Sequence, residues 1–454
     1  MQDIPMPVQF RSEIIQPLLK ALEAGESCSL VGVGSSGKSN LIRHLLRQDV
    51  REHFLGESAQ GILLLYVDCT KLLDYTLRAL HGLILEAMLR ATEKGGTELA
   101  ALHPKLERLW EQATDSDSPD RTRRALEEAV ASVLQAGTAQ IYVILDDFDH
   151  VAKNAPTPAL NSLRALRDNH KYRVMYVTVT RHELAFLRAE EEYEDFYEIV
   201  SFNTIPIGPY TEADANDMID RLVSRWKPAD RPSAAERQRL LEASGRHAGL
   251  LRQILWAAQS AGQGFLLSPD LIEKLRGHKD VEPECIKIWD SLEKDETVNL
   301  EALVKRKGPI SKGIRQLEVK GLVRYRLLDG TYDIFSPVFE DYVRGTLPGG
   351  RIPIELVPDR REVWVEGRLV GDLDKVEYHL FVCLYRSRGR PVAHPDLVRE
   401  MIDVETDRRR FPGRPEQRLD AYVTELKRKI DTAHREYIMH EPDGGYRLIG
   451  SDGT

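Results

Sequence analysis

The stretch Gly32-Val-Gly-Ser-Ser-Gly-Lys-Ser39 limits this chain more than any other. Glycines at three of eight positions let the backbone turn tightly enough for several N–H groups to converge on one point. A β-rich run precedes the turn and an apolar-periodic stretch, Asn40 to Leu46, follows it, so a strand should lead in and a helix lead out. The helix brings the positive end of its dipole to the same point. A turn of this kind holds phosphate. Lys38 supplies a point charge for the β- and γ-phosphates and Ser39 a ligand for Mg²⁺. Gly32, Gly34, Ser35, Ser36, Gly37 and Asn40 complete the cradle, and the expected cofactors are ATP or ADP with Mg²⁺.

Between about residues 26 and 205, short β-rich runs alternate with helical stretches, which predicts an α/β fold with a parallel sheet and helices on both faces. The expected strands are 28–33, 62–67, 141–145, 174–179 and 199–205. The run Ile141-Tyr-Val-Ile-Leu-Asp-Asp147 ends in two acids, which a parallel sheet delivers to its C-terminal edge beside the phosphates. Asp146 is then placed to hold Mg²⁺ and Asp147 to polarise the attacking water. The run Val174-Met-Tyr-Val-Thr-Val-Thr-Arg181 brings a cation to that edge, and Arg181 is expected to report on the γ-phosphate unless it pairs with Glu183. Residues 92–137 carry many charges at helical spacing and read as solvated helices around the polar break Asp115-Ser-Asp-Ser-Pro119.

After Pro206 helical signals take over, opened by Thr211-Glu-Ala-Asp214, which has the spacing of a capping box. The expected division is a nucleotide-binding domain over 1–205, a helical lid over 206–280, a winged-helix domain over 281–346 and a last module over 353–450, after Leu347-Pro-Gly-Gly350. In the last module three helices are expected at 376–385, 395–402 and 416–430, closed by a hairpin around Asp443-Gly-Gly445.

The nucleotide motifs, with Asp-Asp-Phe-Asp149 and Thr180-Arg181, resemble those of the signal-transduction ATPases with numerous domains (STAND), which are related to the AAA+ and replication-initiator ATPases. That resemblance implies that Thr180 and Arg181 sense the γ-phosphate, that Phe10 and Arg11 help bind adenine, and that Ser244-Gly-Arg-His-Ala-Gly-Leu250 forms the base of the lid. Ala248 stands where a proline is usual, and His247 is a candidate to face the phosphates instead. It also implies slow, regulatory ATP hydrolysis and homo-oligomers on ATP binding. The last module resembles the winged-helix effector domain of OmpR/PhoB-type transcription factors, through Leu373-Asp-Lys-Val-Glu-Tyr378, Val423-Thr-Glu-Leu-Lys-Arg-Lys-Ile430 and Gly444-Gly-Tyr-Arg-Leu448. By that resemblance Thr424, Lys427 and Arg428 contact DNA. Arg408, Arg409 and Arg410, in the loop ahead of the third helix, are expected to add phosphate contacts. The wing departs from the pattern: His440-Glu-Pro-Asp443 is acidic.

A net charge of −9 argues against indiscriminate coating of nucleic acid. Four scattered cysteines without a C-x-x-C pair argue against a zinc site or a disulfide framework. No apolar run approaches the length of a membrane span, so the expected compartment is the cytoplasm. There is no G-x-S-x-G or H-E-x-x-H motif either. The leading expectation is a nucleotide-switched DNA-binding regulator. The alternatives are a signalling or defence scaffold whose winged helices bind a protein effector, and an ATPase that loads or targets DNA-processing machinery.

Overall fold

The computed structural model describes residues 5–94, 96–115, 118–188, 194–305, 313–327, 330–347, 354–357, 362–365, 368–371, 373–387, 391–405, 410–431, 437–441 and 444–448. A five-stranded parallel sheet organises the first part: β1 (Cys28–Val31), β2 (Ile62–Asp68), β3 (Gln140–Asp146), β4 (Val174–Thr180) and β5 (Thr204–Pro206), in the spatial order β2-β3-β4-β1-β5. The strand ending in Thr180 therefore lies between the one leading into Gly32 and the one ending in Asp146. Its seven residues are all buried.

Helices cover both faces, as the near-continuous apolar strands require. Ile141, Val143, Leu145, Val174 and Tyr176 point to one side, while Tyr142, Ile144, Met175, Val177 and Val179 point to the other. On the second side lie α1 (Ser12–Glu23), α2 (Lys38–Leu45) and α3 (Gln48–Leu55). The first side is covered by α4 (Leu77–Lys94), α5 (Thr97–Ala100), α6 (His103–Thr114), α7 (Pro119–Gln135), α8 (Asp149–Asn154), α9 (Thr157–Asn169), α10 (Leu184–Leu187) and α11 (Glu194–Ser201).

Two local expectations change. Residues 92–137 are not merely solvated helices: Leu106, Leu109, Ala113, Leu126, Val130 and Val133 form apolar stripes buried in the larger core, and the charges occupy the opposite faces. The fifth strand begins only at Thr204, because Ile199 and Val200 belong to the apolar face of α11.

Beyond Pro206 come α12 (Glu212–Val223), α13 (Ala234–Ser244), α14 (Ala248–Ala261) and α15 (Leu271–Leu275). They are followed by α16 (Glu282–Trp289), α17 (Lys294–Lys305), α18 (Gly313–Val319), the hairpin β6 (Val323–Arg326) and β7 (Thr331–Ile334), and α19 (Pro337–Thr346). One continuous core, from Phe10 and Val33 through Leu250 and Ile254 to Ile288 and Phe339, joins this whole region to the nucleotide-binding part. Thr211 caps α12 by accepting from the Asp214 N–H, while the buried Asp214 carboxylate accepts from the backbone N–H of Arg11 at 3.2 Å.

The last part has its own core. It comprises β8 (Ile354–Val357), β9 (Glu362–Val365) and β10 (Arg368–Leu369), then α20 (Lys375–Arg386), β11 (Val392–Ala393), α21 (His394–Val404), α22 (Pro415–Ile430), β12 (Ile438–His440) and β13 (Gly445–Leu448). Strand β13 pairs with both β11 and β12. No helix among the described residues is long and apolar enough to cross a membrane.

Candidate nucleotide site

The turn Gly32–Ser39 leaves β1 at the C-terminal edge of the sheet and opens α2. Its curvature depends on two left-handed residues, Ser35 (φ 55°) and Gly37 (φ 95°). A side chain at Gly37 would also meet the Tyr210 hydroxyl, 2.8 Å from its Cβ position. Lys38 folds back over the loop and donates to the carbonyls of Gly32 (2.5 Å) and Val33 (3.0 Å). Burial, and then the nearby Arg181, pull its ammonium down to about 8, against the opposing pull of Asp149, Asp147 and Asp146. A desolvated cation with acids nearby suits a site that must take up phosphate and a divalent cation. Ser36 is buried, its hydroxyl has no partner among the described residues, and Ser39 is exposed.

Asp146 ends β3 beside Asp68, its register partner at the end of β2. Its carboxylate accepts from the Tyr66 hydroxyl (3.0 Å) and from the Asp147 N–H (3.1 Å). Burial raises its pKa, Asp147 adds to the rise, and the Tyr66 bond opposes it. Asp147 adopts φ 50° and remains half-exposed. The set of donors, Ser39 and Asp146 with phosphate oxygens, fits a hard divalent cation that keeps several waters. Protein carboxylates alone form no metal cluster among the described residues.

The other expected residues divide sharply. Arg181 is exposed, near Lys38, with its backbone N–H on Asp149, and no ion pair joins it to Glu183 among the described residues. The Thr180 hydroxyl is committed to the His182 carbonyl at 2.6 Å. Phe10 is buried between His44 and Tyr210. The buried Arg11 guanidinium donates to the Gly208 and Pro209 carbonyls at 2.9 and 3.0 Å and lies over the Tyr210 ring. Both residues therefore tie the segment ahead of α1 to the segment 208–210. Asn40 bonds to the Tyr210 side chain.

His247 does not face open space for phosphate. It is fully buried, its Nδ1 accepts from the Leu250 N–H as the N-cap of α14, and Nε2 donates to the Gly34 carbonyl at 3.1 Å. Sequence reasoning missed the companions of this contact. The Gly34 N–H donates to Ser291 Oγ (3.1 Å) and the Gly249 N–H donates to the Ser35 carbonyl (3.1 Å). A Cβ on Gly34 would stand 2.4 Å from the Lys287 carbonyl, and one on Gly249 would stand 2.4 Å from the Glu284 carboxylate. Glu284 is itself buried. Burial would raise its carboxyl, but Lys287, the Ser35 hydroxyl and Arg252 hold it below the ordinary range. Beside β4, His182 lies 3.0 Å from Glu293 and stays neutral, pushed down to about 3 by burial and by the cations Lys320, Lys153, Arg181 and Lys38. Glu284, Lys287 and Ser291 thus lie against the phosphate-binding turn.

In the last part, Arg408 and Arg409 lie outside the described residues. Arg410 forms ion pairs with Asp374 and Glu377 and stacks over Phe411 and Tyr422. Thr424 is exposed, with its hydroxyl on the Asp420 carbonyl; Lys427 is half-exposed; Arg428 pairs with Glu425 at 2.8 Å.

Residues 7–179 match the model of the AAA ATPase domain family. In fold the chain is similar to a Walker-type ATPase of Pyrococcus abyssi (14% identity, TM-score 0.47, covering 76% of this chain and 100% of that one). It is similar also to Cdc6p of Pyrobaculum aerophilum (14%, 0.37, 75% and 93%) and to the ORC1 protein of Aeropyrum pernix in complex with DNA (12%, 0.41, 99% and 90%). No curated protein matches the chain. The stretch that matches the AAA ATPase domain model holds both the phosphate-binding turn and the acids at the same edge of the parallel sheet.

Proposed function

We propose that the chain is a STAND-type, nucleotide-gated switch in which the segment 284–293 clamps the phosphate-binding turn and a triphosphate releases it. The observation that carries this reading is the double capture of Gly34: its N–H is taken by Ser291 and its carbonyl by His247. An amide of the loop that could serve a phosphate is occupied by a serine hydroxyl from more than two hundred residues away. Binding of ATP with Mg²⁺ must break that bond and move Glu284 off Ser35, because a buried carboxylate beside a triphosphate is strongly unfavourable. ADP, with less charge, leaves the clamp closed. Lys38, Asp146 and Asp147 then serve slow hydrolysis that resets the switch, and the released region is free to form homo-oligomers.

The output falls to the module 354–448. Its α22 presents Thr424 and Arg428 beside Glu416 and Asp420, and Glu441 neutralises Arg447 on the hairpin. This mixed surface favours docking to a protein effector over reading of DNA by α22, since acids at the groove face repel phosphate.

The clamp is tested by Ser291→Ala and Glu284→Gln. A ligand that binds only the open state has its affinity reduced by the open fraction, so weakening the clamp should tighten binding of a fluorescent ATP analogue. The expected gain is about threefold to tenfold for each variant, the worth of one hydrogen bond, with faster proteolysis around residues 262–280. Unchanged affinity and proteolysis in both variants would sink the reading.

A further inference from the structure

Strand β2 is an edge of the parallel sheet and pairs with β3 alone. The Ile141 N–H donates to the Arg173 carbonyl, so Ile141 faces β4 and its neighbours Gln140 and Tyr142 face β2. Through the register Ile62↔Gln140 and Leu64↔Tyr142, alternation turns the backbone of Leu63, Leu65 and Val67 to β3 and that of Ile62, Leu64 and Tyr66 outward. The Ile62 N–H is taken by the Ala59 carbonyl. Leu64 and Tyr66 are left with N–H and C=O groups that have no backbone partner among the described residues.

This edge, from Gly61 to Tyr66, forms the floor of a cleft of about 970 Å³. Its length is roughly 17 Å, that of an ordinary strand. Leu46 and Arg51 of α3 make one wall; Ala87 and Ala91 of α4, Leu99 of α5 and the turn 136–138 make the other. The walls differ in charge. Arg51 donates to the Leu45 and Leu46 carbonyls at 3.2 and 2.7 Å and to the Gln48 side chain at 2.5 Å. Its Nε has no partner, and no carboxylate pairs with it among the described residues. On the opposite wall Arg90 is taken by Glu86, and Glu98 adds a negative charge.

We propose that the cleft takes an extended peptide segment of a partner protein, which adds to β2 as a further strand and sets a carboxylate on Arg51. Main-chain bonds to Leu64 and Tyr66 supply affinity, and alternate side chains supply selection. One set of peptide side chains meets Ala87, Ala91 and Leu99 and is apolar. The other meets Leu46 and Arg51 and carries the acid, which a guanidinium held by carbonyls and lacking a carboxylate is ready to bind. A second copy of this chain is a poor occupant, because its own β2 lies between the same walls and two recessed edges cannot meet.

Tyr66 also donates its hydroxyl to Asp146 at 3.0 Å. Where Asp146 holds Mg²⁺, as the nucleotide reading has it, peptide and Mg²⁺–nucleotide affect each other's affinity equally. Strand addition itself does not rest on that reading.

The test selects a phage-displayed library of random peptides about ten residues long against the full chain. The best sequence is then synthesised with a fluorescent label. Selected peptides should alternate apolar residues with others, carry Asp or Glu at one fixed position and lack proline at their centre. Binding should slow hydrogen exchange at the Leu64 and Tyr66 amides and change little at Leu63 and Leu65, which are already in the ladder. Leu64→Pro removes one outward N–H at a position where an edge strand tolerates proline, and Arg51→Glu reverses the charge. Each should weaken binding about tenfold or more, and a lysine in place of the peptide's acid should restore binding to Arg51→Glu. Ala91→Trp fills the cleft from α4 and serves where Leu64→Pro does not fold; melting temperature and ATP-analogue binding are the controls. The proposal is overturned if no selected peptide binds more tightly than about 100 μM, if the Leu64 and Tyr66 amides exchange as before, or if the folded variants bind like wild type. It is overturned also if the wild type dimerises in solution and Leu64→Pro makes it monomeric, which would give the edge to a second copy. Equal peptide affinity with and without Mg²⁺–ATP would remove the link through Asp146 and leave strand addition standing.

Discussion

Replacing Lys38 with alanine should weaken ATP binding about a hundredfold while making the nucleotide-free protein more stable. The first half follows from the charge-assisted bonds that an ammonium makes with β- and γ-phosphates, each worth about 1.5–3 kcal/mol in a site shielded from water. The second follows from the sign of the shift at Lys38. Folding pulls its ammonium from 10.5 to about 8, chiefly by burial, so the folded state binds that proton less well than the unfolded chain does. At neutral pH the penalty is on the order of 3 kcal/mol. Alanine removes it, at the cost of two hydrogen bonds to the Gly32 and Val33 carbonyls. Calorimetric titration with ATP and thermal melting without it check the two halves. A variant that lost affinity and also melted well below the wild type would show that Lys38 supports the fold and is not held at a loss for its ligand.

Acid should destabilise the protein between about pH 6.5 and 4, a loss that begins above the range in which ordinary carboxylates titrate. His81 and His247 are both buried and neutral, each pushed from 6.5 to about 4 chiefly by desolvation. A histidine with a depressed folded pKa contributes its full stability above the unfolded value and loses it as pH falls towards the folded one. Each site can forfeit on the order of 3 kcal/mol over that window. The two sites differ in consequence. His81 bonds to Ser162 within the larger core, so its protonation loosens the ATPase fold. His247 uses Nδ1 to cap α14 and Nε2 to hold Gly34, so a proton on Nδ1 ends the cap and places a charge in the buried contact between α14 and the phosphate-binding turn, although Nε2–H still donates to Gly34. Denaturant unfolding from pH 7.5 to 4.5 should show a steep loss of stability in the wild type. His81→Asn should flatten the profile, and His247→Asn should both flatten it and tighten ATP-analogue binding at pH 7. A flat wild-type profile would mean that neither imidazole is held neutral.

The parts of the candidate nucleotide site that the structure brings to one sheet edge were legible in local text because each is local. A glycine-rich turn between strand and helix, two acids ending a strand, and a hydroxyl and cation ending another each need only a few neighbouring residues, and a parallel sheet brings strand ends to one edge whatever its order. Even so, the order escaped the sequence: nothing in residues 174–180 says that this strand lies between β1 and β3. The stripes of α6 and α7 were present in the text as Leu106, Leu109, Ala113 and Leu126, Val130, Val133, but dense charges on their outer faces made them read as solvated. Phe10 and Arg11, expected from the resemblance to help bind adenine, turn their aromatic and cationic chemistry to Tyr210, Gly208 and Pro209.

The clamp had no local signal. Ser291, Glu284 and Lys287 look like ordinary helix and turn residues, and what distinguishes them is that packing of one shared core sets them against Gly34 and Ser35. The same holds for Arg410, expected to contact phosphate and paired with Asp374 in the structure. The sequence by itself determined the chemistry that phosphate demands, since glycine conformation, strand polarity and charge at strand ends act over a few residues. The tertiary structure alone decided which polar groups are spent on one another and which remain available, because hydrogen bonds and ion pairs depend on separations of a few ångströms that chain connectivity does not fix.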